Sequence, residues 1–196
     1  MKQCKEGYAE SWTQRRPHLP LPILGATTSS IILEMIYRME LWVVKPGDPL
    51  FHEQPILGGY VLPPFQRPSC WTQEQQIRFI ESAYLGLNLG SIVWVDASDA
   101  PTSDGKFAKQ DRWLIDGQQR ISAILAYTKG EFQIFHGTEH QHRFSDLNAL
   151  EQRTFARIQI GSSKLTTTDD FTLRMAYDRL NFGGTAHKDF ERAISA

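Results

Sequence analysis

Two apolar runs separated by a charged turn make the most informative pattern in the chain. They fall in Trp113-Leu114-Ile115-Asp116-Gly117-Gln118-Gln119-Arg120-Ile121-Ser122-Ala123-Ile124-Leu125. Trp113 to Ile115 are bulky and suit a strand, and Gly117 permits a sharp bend. Ile121, Ile124, Leu125 and Thr128 then recur at helical spacing until Gly130 offers a stop. The pattern predicts strand, tight turn, helix.

Around this centre the remaining elements follow from the same reasoning. Residues 1–28 carry Pro17, Pro20 and Pro22 with little periodicity and read as a partly disordered N-terminal arm. Ser29-Ser30 caps a helix whose face holds Ile31, Ile32, Met35, Ile36 and Met39 and which ends before Pro46-Gly47-Asp48. Gly58-Gly59-Tyr60-Val61-Leu62 reads as a short strand stopped by Pro63-Pro64. Thr72 opens the next helix with Gln75 completing a capping box, Ile77, Ile80 and Tyr84 share its face, and Gly86 closes it. Ser91 to Val95 is a buried-type strand, and residues 97–110 form a polar hairpin loop that should tolerate insertion.

Beyond Gly130, Phe132 to Phe135 alternates like an edge strand, with a polar hairpin or loop at 136–143. A short helix near 148–156 and a strand near 157–161 come next. Thr168 then caps a helix whose inward face is Leu173, Ala176, Tyr177 and Leu180. Asn181-Phe182-Gly183-Gly184 ends it, and Thr185 caps a last short helix through Ile194. The expected architecture is one α+β domain over residues 29–196, a small mixed sheet flanked by helices.

Composition narrows the function classes. The chain of 196 residues has room for one substantial core, and no apolar run approaches the roughly 20 residues that cross a bilayer. The start, Met1-Lys2-Gln3-Cys4-Lys5-Glu6, lacks the apolar segment of a secretory signal, so a cytoplasmic protein without a membrane partner is expected. Cys4 and Cys70 make neither a disulfide framework nor a zinc knuckle. The formal charge of −1 argues against a general nucleic-acid binder but leaves room for a local basic cleft. His136, His140 and His142 share one loop without a Cys or acidic partner at metal spacing, and solvated histidines are the favoured reading over a metal site. Neither G-x-x-x-x-G-K-[ST] nor G-x-G-x-x-G is present.

The turn at 116–120 allows two readings. Free amides and the positive end of the dipole make a helix N-terminus an anion site, and Arg120 adds a charge in the first turn, so phosphate is the natural candidate. Alternatively, Asp116 and Gln119 are a capping box, Asp116 accepting from the Gln119 amide while Gln119 reaches back. The box alone does not account for Gly117, Gln118 and Arg120 together.

Four segments in this order carry a family resemblance: Pro63-Pro64-Phe65-Gln66-Arg67-Pro68 with Trp71, Ile80-Glu81-Ser82, Leu114-Ile115-Asp116-Gly117-Gln118-Gln119-Arg120, and Arg179-Leu180-Asn181-Phe182-Gly183-Gly184. Over about residues 30–196 the chain resembles the DGQQR-box domain, the N-terminal part of GmrSD-type modification-dependent restriction proteins and related anti-phage systems, whose fold is similar to the ParB/sulfiredoxin class. The resemblance implies nucleoside-triphosphate binding and hydrolysis. Gln66, Arg67, Gly117 and Arg120 would hold phosphate, Asp116, Gln118 and Gln119 would be catalytic, and Asp116 would act through water or Mg²⁺. Trp71 is either a base contact or a core aromatic anchoring its helix. The family's C-terminal helical and HNH nuclease regions have no counterpart before residue 196, which puts DNA cleavage by this polypeptide in doubt and points to a separate nuclease subunit or DNA as partner. The alternatives are a module that senses a nucleotide or modified DNA without turnover, and a ParB-like nuclease. Which nucleotide is used and the oligomeric state stay open.

Overall fold

In the run Ser91-Ile92-Val93-Trp94-Val95, apolar residues occupy successive positions instead of alternating with polar ones, which is what a strand covered on both faces requires. The computed structural model describes residues 27–39, 54–97 and 108–182, and there this strand lies inside a four-stranded sheet. The elements are β1 (Thr27–Ile32), α1 (Leu33–Met39), β2 (Ile56–Leu57), β3 (Tyr60–Val61), α2 (Gln73–Tyr84), β4 (Ser91–Val95), β5 (Leu114–Asp116), α3 (Gln118–Thr128), a 3₁₀ turn (Phe144–Asp146), α4 (Ala149–Ala156), β6 (Gln159–Leu165) and α5 (Asp170–Phe182).

The sheet order is β1-β6-β4-β5. β6 pairs antiparallel with β1 and parallel with β4, and β4 pairs antiparallel with β5, so the sheet is mixed and the protein is α+β. Successive side chains point to opposite faces, and this parity sorts the core into two layers. Ile92, Leu114 and Ile160 join α1, α2 and α3 through Leu33, Ile36, Ile80, Ile121 and Ile124. Val93, Val95, Ile115 and Leu165 face the other way, onto Leu173, Ala176 and Tyr177 of α5. Helix α3 is the centre of the first layer. Its Ile121 and Ile124 are fully buried, each worth about 2–3 kcal/mol of transfer free energy, and Ala123 and Ala126 let neighbours approach.

Several local expectations match the structure. Thr72 and Gln75 form the reciprocal capping box at α2, and Gly86 follows its end. Asn148 and Glu151 do the same for α4. Helix α3 ends at Thr128, just before Gly130.

Others need correction. Ser29-Ser30 does not cap a helix. Thr27–Ile32 is a strand, the Ser30 hydroxyl donates to Gln159 Oε1 at 3.0 Å, and the helix begins at Leu33. Ladder bonds to β6 satisfy the backbone groups that a cap would have served, so the arm's expected boundary at 28 falls inside β1. Gly58-Gly59 is the turn of a hairpin, not part of its strand. Both glycines have positive φ (57° and 82°), as a two-residue turn between β2 and β3 demands. Phe132 to Phe135 forms no strand, only a single bridge between Ile134 and His142. The strand expected at 157–161 runs from Gln159 to Leu165. Asp169, not Thr168, serves the start of α5, its carboxylate accepting from the Thr172 amide at 2.9 Å. On that helix Leu173, Ala176 and Tyr177 are buried, whereas Leu180 is 49% exposed. The last expected helix, Thr185 to Ile194, and most of the arm and of the 97–110 loop lie outside the described residues. The near ends of that loop are pinned, Ala97 N–H donating to the buried Asp111 carboxylate at 2.9 Å. Among the described residues no helix is long and apolar enough to cross a membrane.

Candidate functional site

Strand β5 delivers Asp116 to the sheet's end, and the chain must then turn into α3 within a single residue. Gly117 does this at φ 108°, ψ 2°, and it is the N-cap of α3. A Cβ there would lie 2.5 Å from Ile92 Cγ2, so backbone freedom and close approach to β4 both require glycine. This overturns the capping-box reading of Asp116 and Gln119. Asp116 stays in the strand, no side chain caps the helix, and the first-turn amides keep their free donors.

Each neighbour of Gly117 has a separate task. Arg120 lies one turn on from Asp116, and its Nη2 donates to Asp116 Oδ2 at 2.5 Å and to the Ser91 carbonyl at 2.6 Å. The guanidinium lies over Gly90, where an added Cβ would sit 3.7 Å from Nη1. Gln119 Oε1 accepts from the Ser69 hydroxyl at 2.9 Å and from the amides of Cys70 and Trp71 at 3.1 Å each. Gln118 is 8% exposed, and its Oε1 is buried without a hydrogen-bond partner.

The second turn arrives from the other end of the sequence motif set. Phe65 packs edge-on against Trp113 and Tyr177, at 5.7 and 5.3 Å between ring centroids, and this anchors Gln66 and Arg67 beside β5 and α5. The Arg67 amide donates to the Tyr177 hydroxyl at 3.4 Å, while its exposed guanidinium meets no partner among the described residues. Trp71 packs on Phe79 at 5.5 Å and also faces the cleft, so both of its expected roles are sterically open.

The structure brings Gln66, Arg67, Trp71, Asp116, Gly117, Gln118, Gln119 and Arg120 together around one cleft of about 110 Å³. Gln66 Oε1, Gln118 Oε1 and Arg120 Nε, all belonging to its walls, are buried polar atoms without partners. Buried polar groups are normally paired, so three orphans around one cleft mark a place that a ligand or water completes. Asn181, near the end of α5, is a wall residue absent from the expected site, and its Nδ2 donates to the Tyr177 carbonyl at 3.0 Å. The Arg179–Gly184 segment carried the signal, but nothing in its local spacing tells that α5 ends beside the box.

The cleft can host an anion: two arginines and an uncapped helix start supply positive potential, and carboxamides supply donors and acceptors. Its one carboxylate, Asp116, is already paired with Arg120. His136, His140 and His142 lie elsewhere. His140 and His142 border a separate cavity of about 410 Å³ with Tyr84, Asp146 and Glu151, and His142 Nδ1 bonds the His140 carbonyl at 2.6 Å. Among the described residues no group of three or more His, Cys, Asp or Glu side chains is placed to hold a metal ion.

Comparison with curated proteins and with solved structures gave no match. A family model did match. Residues 50–178, which contain both turns of the cleft, fit the GmrSD restriction endonuclease N-terminal domain, and the chain belongs to that family.

Proposed function

We propose that this domain binds the phosphates of a nucleoside triphosphate at the cleft and hydrolyses it, as the nucleotide-handling part of a restriction or phage-defence system. The observation that carries the reading is the meeting of two turns about 50 residues apart in sequence, around a nearly buried and unpartnered Gln118. A cleft of about 110 Å³ suits a phosphate group, not a whole nucleotide, so the nucleoside would extend outward past Trp71. Arg67 then supplies a mobile charge and Arg120 a fixed one. The first amides of α3 take phosphate oxygens, and Gln118 orients the attacking water.

Mg²⁺ fits this site only in a limited way. Magnesium usually keeps several waters and takes one or two carboxylates together with substrate phosphates, and the cleft offers Asp116 alone. Asp116 would hold it beside the phosphates, where the ion would neutralise their charge. The ParB/sulfiredoxin-like fold belongs to the same reading, supported by a mixed sheet whose strand end feeds an anion-binding helix start.

A second reading has its own support. Asp116 Oδ2 is engaged by Arg120, so the one carboxylate of the cleft is not free to act as a base. That favours a module that senses a nucleotide or modified DNA without turnover and passes its state to a nuclease subunit. Phosphate release from the purified protein with each NTP, together with thermal-shift screening with and without Mg²⁺, separates the two. Stabilisation with turnover supports hydrolysis, stabilisation without turnover supports sensing, and neither would refute nucleotide binding.

A further inference from the structure

We propose that Gln119 is not a reacting group but a positioning residue, a strap that joins the turn at Ser69–Trp71 to the start of α3 and makes the two halves of the cleft respond together. The inference deepens the phosphate-site reading and rests on it for its functional half. One carboxamide oxygen takes all three donors that the turn presents: the Ser69 hydroxyl, the Cys70 amide and the Trp71 amide. Among the described residues, every hydrogen bond that ties residues 69–71 to the rest of the chain ends on this atom. Pro68 has no N–H to add another. The next fixed points are the long Arg67 contact to Tyr177 on one side and the Thr72 capping box on the other.

The consequence follows from position. Gln119 stands in the first turn of α3, where its own amide is among the helix's free donors, while its side chain grips the segment that follows Arg67 and contains Trp71. A phosphate drawn to the helix start fixes Gln119, and through Oε1 it fixes the turn that carries Trp71 and follows Arg67. With Oε1 occupied, Gln118, whose own Oε1 has no partner, is left as the glutamine free to meet water or ligand.

Amide hydrogen exchange reads the strap directly, because Cys70 N–H and Trp71 N–H are its donors. Without nucleotide, Gln119→Ala should speed exchange at both amides by about tenfold or more, and Gln119→Glu, whose carboxylate accepts the same bonds, should restore protection. Unchanged exchange in Gln119→Ala would overturn the strap, as would failure of Gln119→Glu to protect. In wild type, ATP or GTP should slow exchange at Cys70 and Trp71 together with the amides of residues 118–120. Gln119→Ala should lose the remote protection, raise KM several-fold and keep kcat within about threefold. Nucleotide protection confined to 118–120 in wild type, or a collapse of kcat alone, would overturn the positioning role. Absence of any nucleotide effect in wild type would instead refute the phosphate-site reading, with the strap judged on the nucleotide-free exchange.

Discussion

Gly117→Ala should be among the most damaging single-methyl additions in this protein, and the damage has two separable parts. The first is conformational: a non-glycine residue at φ 108° leaves the region that side chains tolerate, at a cost of about 1–2 kcal/mol. The second is steric, because the new Cβ would meet Ile92 at 2.5 Å (Cγ2), 3.0 Å (Cβ) and 3.1 Å (Cα). Ile92 is fully buried in the central strand β4, so the contact is relieved only by moving strand or helix, an overpacking cost of about 1–3 kcal/mol. The sum is about 2–5 kcal/mol, measured as a shift in urea midpoint at constant slope. A double-mutant cycle with Ile92→Ala divides the two parts. Ile92→Ala alone opens a cavity and destabilises, but in its background Gly117→Ala should lose the steric part and retain only about 1–2 kcal/mol. Strict additivity of the two substitutions, or a total for Gly117→Ala below about 1 kcal/mol, would refute the argument that this turn is a packing junction.

Three further outcomes are expected. Arg120→Ala should weaken nucleotide binding and also cost about 1–3 kcal/mol of stability, because it leaves the Ser91 carbonyl and the Asp116 carboxylate without their donor; calorimetry and denaturant titration check the two effects, and Arg120→Lys should restore only part of either. Asp116→Asn should cost no more than about 1 kcal/mol for a part-exposed ion pair, yet cut turnover by about a hundredfold if Asp116 serves the hydrolysis, while full turnover would leave it as a holder of Arg120. Burial pushes the Tyr60 phenol up to about 12, so the folded state holds its proton more tightly than the unfolded chain; this contribution is complete below about pH 10 and is lost as pH rises toward 12, which urea melts and tyrosinate absorbance across that window would register.

What the sequence revealed of this fold was whatever is decided within a few residues. Thr72 with Gln75 and the Gly130 stop are local devices, and the structure has both. Thr27–Ile32 was misread because a strand is decided by its partner: β6 lies more than a hundred residues away, and only it turns a serine pair from a cap into ladder positions. Asp116 was misread for a related reason. Asp-Gly-Gln-Gln satisfies a capping box on paper, but the contact of Gly117 with Ile92 sets the helix start one residue later, and Arg120 claims the carboxylate. The meeting of Gln66 and Arg67 with the box could be inferred only through family resemblance, since Phe65 against Trp113 and Tyr177 fixes it and no spacing encodes it. Asn181 was missed because its place depends on where α5 ends relative to β5.

The residues of the box therefore differ in what they hold, and the difference can be tested at Gln118. Gly117 seats the helix on Ile92, Gln119 holds the loop at 69–71, and Arg120 holds Ser91 and Asp116. Gln118 alone among them is buried at 8% exposure with an oxygen that bonds nothing, which disfavours the folded state by about 1–3 kcal/mol relative to a satisfied group. A stability-driven sequence would place an apolar residue of the same volume there. Gln118→Met removes the orphaned carboxamide while keeping the shape, so the variant should melt at or above the wild-type temperature and yet lose nucleotide binding or turnover. Loss of function with undiminished stability is the signature of a residue kept for its ligand. A destabilised Gln118→Met that binds nucleotide as well as wild type would assign the carboxamide to the fold and leave the cleft without its central group.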